Sequence, residues 1–220
     1  RWIRLYPINF RFLEQDQQFK KYDILRVRAT PASGDTRVES WRPDMSTMKV
    51  IDHLDPWKRR RALLDPTASD TMCSLNRENQ AEAVASSLGL VPVRELIDLR
   101  VTEHPGWSPD EQAKIDAYVN QLDLFDTADK SALEAPRFEG RYRWKCFEPL
   151  CRGHEQSIID WEFVALQRRL NGAPDPEVRA ALQAKFVDMM FRTPRRPAFF
   201  VGNQAKRHHV FHVLGIYYPD

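Results

Sequence analysis

The sequence predicts an α+β fold, and three observations lead there. Polar and apolar residues alternate over residues 1–5 and 23–29, as they do in half-buried strands, and residues 198–202 and 210–218 are two apolar strand-like runs. The middle carries helix starts, Asp55-Pro56 and Ser108-Pro109-Asp110-Glu111, the second a capping box with proline at the first helical position. Between residues 137 and 170 a strand, a knuckle, a second strand and a helical pattern follow one another. Together these read as a small antiparallel β-barrel or curved sheet, a helical middle region and a Cys/His hairpin–helix element.

Taken in order, residues 1–5 form the first strand, broken by Tyr6-Pro7, and residues 9–18 include a short helical turn. Residues 23–29 and 36–41 pair around a Ser33-Gly34-Asp35 turn. Asp55-Pro56 caps a helix over 57–64, and Gly89 closes a second that starts at Ser74 and runs to Ser87. Residues 93–102 return to strand. The capping box opens a helix to about Phe125, with Ile115, Tyr118, Val119 and Leu122 on one face. The polar stretch 126–136 reads as a linker, dividing the chain into units 1–125 and 137–220 or joining one continuous domain. Strands follow at 137–147 and 154–160, then helices at 161–170 and 175–190. Strands 198–202 and 210–218 form a last hairpin around loop 203–209, which is expected to join the N-terminal strands.

The chain has 220 residues and a formal net charge of +2. That length buries a real core, and the charge balance excludes a uniformly basic binder but not a locally basic face. No apolar run approaches the length that spans a bilayer. The sequence starts without methionine, so an N-terminal piece is expected to be missing or processed. Three cysteines are too few for a disulfide framework and fit a reducing, cytoplasmic location.

Cys146-x4-Cys151-x2-His154 is the sharpest constellation. Thiolate and imidazole are the ligands zinc prefers, and a knuckle between two strands preorganises them. A closed site needs a fourth ligand, from Asp160, Glu162, Cys73, His208, His209 or His212. The same residues also suit two buried thiols beside a surface histidine, or a redox pair. His154 with Asp160 and Glu162 offers a metal-nuclease set. Against it, Asp160 suits a helix N-cap and Glu162 the first helical turn, and Val164 stands where a Glu-x-Lys nuclease has lysine. Phosphate-loop, dinucleotide, His-Glu-x-x-His and serine-hydrolase signatures are absent.

Three basic clusters fit backbone phosphates: Lys58, Arg59, Arg60 and Arg61; Arg195 and Arg196; and Lys206 and Arg207, with Asn203 and Gln204 beside them for base edges. Nearby aromatic rings suit stacking on single strands or flipped bases. Each cluster is equally readable as a solvated face.

The opening Trp2-Ile3-Arg4-Leu5-Tyr6-Pro7-Ile8, the run from Gln18 to Asp23, the stretch from Cys146 to Glu162 and the tail Phe200-Val201-Gly202-Asn203 resemble a family of uncharacterised prokaryotic proteins. Trp2-Ile3-Arg4 and its alternation resemble OB-type small barrels of defence- and mobile-element-associated proteins. That resemblance implies a nucleic-acid role and no mechanism. Three readings stand: a DNA- or RNA-binding module with a structural zinc knuckle, a metal-dependent nuclease, and an interaction subunit whose basic patches meet an acidic protein partner.

Overall fold

The described strands of the computed structural model lie in three sheets of three. The structure describes all residues except 9, 11–17, 69–70, 82–84, 124–132 and 220, and the backbone alone of 118–123. The first sheet holds β1 (Arg4–Leu5), β2 (Asp23–Pro31) and β3 (Ser40–His53) in the order β1-β3-β2, with β1 parallel to β3. The second joins β4 (Leu88–Pro92), β8 (Ala198–Gln204) and β9 (Arg207–Tyr217) in the order β4-β8-β9. The third joins β5 (Glu95–Glu103), β6 (Phe138–Lys145) and β7 (His154–Ser157) in sequence order. The fold is α+β, and none of the sheets closes into the expected barrel.

Helix α1 (Trp57–Leu64) follows β3, α2 (Met72–Ala81) precedes β4, and α3 (Pro109–Asp123) follows β5. Helices α4 (Trp161–Arg169) and α5 (Asp175–Gln183) follow β7, and α5 runs into a π-helical turn, Ala184–Met189. The capping box is formed: the Ser108 N–H and hydroxyl both donate to Glu111 Oε2, at 2.9 and 2.6 Å. Helix α1 spans the expected residues, but Pro56 rather than Asp55 stands at its cap, with no side-chain hydrogen bond there.

Several local expectations are corrected. The first strand is only two residues long. Strand β3 starts at Ser40 and runs on to His53, past Pro43, because a bulge absorbs the irregular Asp44–Thr47 stretch. Gly89 closes no helix; it lies inside β4, opposite Val201. The last hairpin pairs with β4 rather than with the N-terminal strands, and its turn is Ala205-Lys206 alone. Most of the short turn expected at 9–18, and the linker up to residue 132, lie outside the described residues.

The core sits between the second and third sheets and α5. Trp144, Tyr142, Phe138, Phe186 and Phe199 are fully buried, with Tyr142 and Phe199 stacked at 4.7 Å. The N-terminal sheet is attached by polar contacts and rings instead. Glu39, buried, accepts from the Ser87 N–H at 3.0 Å and from its hydroxyl at 2.9 Å. Arg37 donates to the Asn203 carbonyl at 2.7 Å, and Trp2 meets Phe200 edge-on. No described helix is long and apolar enough to cross a membrane.

Candidate metal centre

The knuckle between β6 and β7 is positioned by the ladder beneath it. Trp144 pairs with His154 across the strands, and their rings lie 5.1 Å apart. The Trp144 indole donates to Gln156 at 2.9 Å, which fixes the buried end of the hairpin. Gly153 has φ of +111°, a conformation that favours glycine; it delivers the chain into β7 with His154 turned back toward the two cysteines.

Helix α2 supplies the remaining ligand. Thr71 caps it, its hydroxyl accepting from the Ser74 N–H at 2.9 Å. Met72 anchors the first turn in the core, so Cys73 faces the knuckle. Glu148, on the knuckle, ties the two pieces together: its Oε2 lies 3.4 Å from the Thr71 hydroxyl and 3.5 Å from Arg77.

Cys73 Sγ is 3.6 Å from Cys146 Sγ. His154 Nε2 lies 3.5 Å from Cys73, 3.4 Å from Cys146 and 3.3 Å from Cys151. All four ligand atoms fall within 4.8 Å of one another. The sulfurs are much too far apart for a disulfide, and the cysteines are free. A tetrahedral site with metal–sulfur bonds of about 2.3 Å places neighbouring ligand atoms about 3.8 Å apart, so the cluster is close to the size of a coordination shell. These residues could hold a metal ion.

Electrostatics favours the same arrangement. Burial pushes the His154 imidazolium down, toward the neutral ligand form. Without a cation, burial and the neighbouring Cys146 sulfur push the Cys73 thiol up to about 12. Burial also opposes ionisation of Cys146, but hydrogen bonds from the Glu148 and Cys73 backbones outweigh it and pull that thiol down. Three thiolates in one pocket repel one another unless a cation sits between them.

Among the described residues this is the only cluster of at least three His, Cys, Asp or Glu ligands. His154, Asp160 and Glu162 are therefore not assembled into a metal-nuclease set. Asp160 caps α4, its Oδ1 accepting from the Glu162 N–H at 2.9 Å. Glu162 pairs with Lys185 at 2.9 Å and Lys21 at 3.5 Å.

The sequence-predicted basic residues divide. Arg59 pairs with Asp52, Arg60 with Asp55 and Arg61 with Asp65; Arg60 also lies 4.2 Å from the Tyr22 ring. Arg195 donates to the Met189 carbonyl and lies over Tyr218. Lys58, Arg196 and Lys206 are exposed. Arg207 donates to Gln204, which also meets His212. Asn203 is buried, and its amide donates inward to Asn79 and to the His208 carbonyl, so it presents no edge to a base. Cys73 stood in the sequence as one of six candidates for the fourth ligand; it is the one cysteine of the chain's three that lies outside the knuckle, which is the one signal that favoured it.

A family model described as "Domain of unknown function (DUF8757)" matches residues 68–220, the part that contains all four ligands. A second, "Domain of unknown function (DUF8758)", matches residues 1–66. No curated protein and no solved structure matches the chain.

Proposed function

The chain belongs to the domain family of unknown function DUF8757, and we propose that it is a nucleic-acid-binding protein whose C-terminal half is organised by a structural zinc ion. One observation carries the reading: three sulfurs and one imidazole nitrogen converge within 4.8 Å. Sulfur-rich tetrahedral sets are those zinc prefers. Four protein ligands make a closed site, whereas catalytic zinc keeps a position open for water. Zinc supplies the positive charge that lets the three cysteines stay ionised side by side. The residues then act mechanically: Cys73 pins α2 to the β6–β7 knuckle, and His154 joins that knuckle to the core through Trp144.

The nucleic-acid part is supported by exposed cations outside the ion pairs, among them Lys58, Arg196 and Lys206. Phosphate contacts from such side chains need no fixed geometry and give salt-dependent affinity. Metal analysis of the purified protein, run beside a gel-shift panel of single- and double-stranded DNA and RNA, tests both parts. The expected result is about one zinc per chain and binding that weakens as salt rises. No shift with any panel member at low salt removes the nucleic-acid part and favours the interaction-subunit reading. Metal-free protein of unchanged melting temperature removes the zinc.

A further inference from the structure

The β2–β3 hairpin carries four cations on one exposed face. Residues directly opposite in an antiparallel ladder share a face, and the register sets Arg26 against Lys49, Arg28 against Asp44 and Thr30 against Arg42. Arg26, Arg28, Arg42 and Lys49 are exposed. None makes an ion pair among the described residues, whereas at least ten other arginines do.

The one acid on this stretch is turned to another task. Asp44 Oδ1 accepts from the Ser46 N–H at 3.2 Å and from its hydroxyl at 2.6 Å. Thr47 completes the bulge by accepting from the Arg28 N–H at 2.9 Å. The bulge therefore holds its carboxylate locally, out of ion-pair contact with the four cations. Like charges directly opposite destabilise a sheet, so Arg26 facing Lys49 works against the fold unless an anion comes between them.

The shape narrows the partner. Strand β1 pairs with β3 only at Ser40 and Trp41. Beyond them the hairpin is a two-stranded ribbon whose β2 edge has no neighbour among the described strands. A two-stranded ribbon fits the major groove of B-form DNA, about 12 Å wide, whereas the major groove of duplex RNA is too narrow to enter.

We propose that the β2–β3 ribbon is a docking face for double-stranded DNA, with Arg26, Arg28, Arg42 and Lys49 gripping backbone phosphates at the major groove. This rests on the nucleic-acid reading above and names its surface and its polymer.

The test is fluorescence anisotropy with a labelled DNA duplex, titrated over a range of potassium chloride concentrations, comparing the full chain with its R26Q/R28Q/K49Q variant. Each lost phosphate contact lowers the slope of log affinity against log salt by about 0.9. The variant is expected to lose about 2.7 of that slope and at least about tenfold in affinity at moderate salt. Its melting temperature should hold or rise, because a like-charge pair is removed. R26K/R28K/R42K, which keeps the charge, should bind within a few-fold of wild type. Wild-type slope and affinity in the glutamine variant overturn the proposal, and leave the nucleic-acid reading standing if wild type still binds. Tighter wild-type binding to duplex RNA, or to polyglutamate, than to the DNA duplex also overturns it. Absence of wild-type binding to every nucleic acid sinks the broader reading as well.

Discussion

Asp160 is a helix cap with an electrostatic cost. Its Oδ1 accepts from the Glu162 N–H at 2.9 Å, while its Oδ2 is buried without a hydrogen-bond partner. Burial raises its carboxyl above the ordinary range, and this outweighs the nearby Lys21 ammonium. A raised acid binds its proton more tightly in the folded state, so its contribution is more favourable below the unfolded value near 4 and declines as pH rises through the folded value. Asp160→Ala removes the cap, at a cost of about 1 kcal/mol, and removes the ionisation penalty too. The stability gap between wild type and Asp160→Ala, from urea melts across pH, should be widest near pH 4 and narrower near pH 7. A gap that widens toward neutral pH contradicts this account. Gly140 shows the same dependence on close contact without charge. A Cβ there would meet the Phe163 ring at 2.8 Å and Ile158 at 3.1 Å, and Phe163 is itself held against Phe186. Gly140→Ala should cost about 1–3 kcal/mol in the same melts; an unchanged midpoint would show that the ring can give way.

Among the elements, the turn before β3 is held by an acid–base clasp. Arg37 donates to both Asp35 oxygens, at 2.8 and 2.6 Å, and passes its other nitrogen to the Asn203 carbonyl. The hydrogen-bonded guanidinium holds the Asp35 carboxyl far below the usual carboxylate range. A lowered acid contributes stability above its unfolded value near 4 and loses it as pH falls toward the folded value. Asp35→Asn should therefore melt earlier than wild type at pH 7, by a margin that narrows as the pH falls from 4 toward 2; a constant difference across that range would refute the clasp. The legible elements were those with local causes. Strand β2 alternates cleanly, and α3 carries its capping box. The unexpected ones depend on distant partners. Leu88–Pro92 becomes a strand because β8 lies along it, so Gly89 beside a helical pattern was misleading. Strand β3 outruns its sequence signal because a bulge lets Pro43 and Asp44 pass. In the candidate site, Cys146, Cys151 and His154 were visible through spacing, whereas Cys73 lies 73 residues before Cys146 and only the packing of α2 selects it.

At the scale of the whole molecule, the cluster and the N-terminal sheet are connected through α2. Cys73 lies in its first turn. Asn79, further along the helix and buried, meets Asn203 at 3.0 Å and the Ser86 carbonyl at 2.9 Å. Asn203 and Ser87 are the points where Arg37 and Glu39 attach the N-terminal sheet. A metal at the knuckle thus stabilises the helix on which that attachment rests, and a ligand bound by the folded chain alone raises its stability by mass action. The most direct measurement is zinc K-edge X-ray absorption on the purified full chain, with total zinc determined on the same sample. The account predicts about one zinc per chain, with three sulfur neighbours at about 2.3 Å and one nitrogen at about 2.0–2.1 Å; Cys73→Ser should change the shell to two sulfurs and melt earlier. Zinc-free protein, or a shell of three sulfurs that persists in Cys73→Ser, would contradict it.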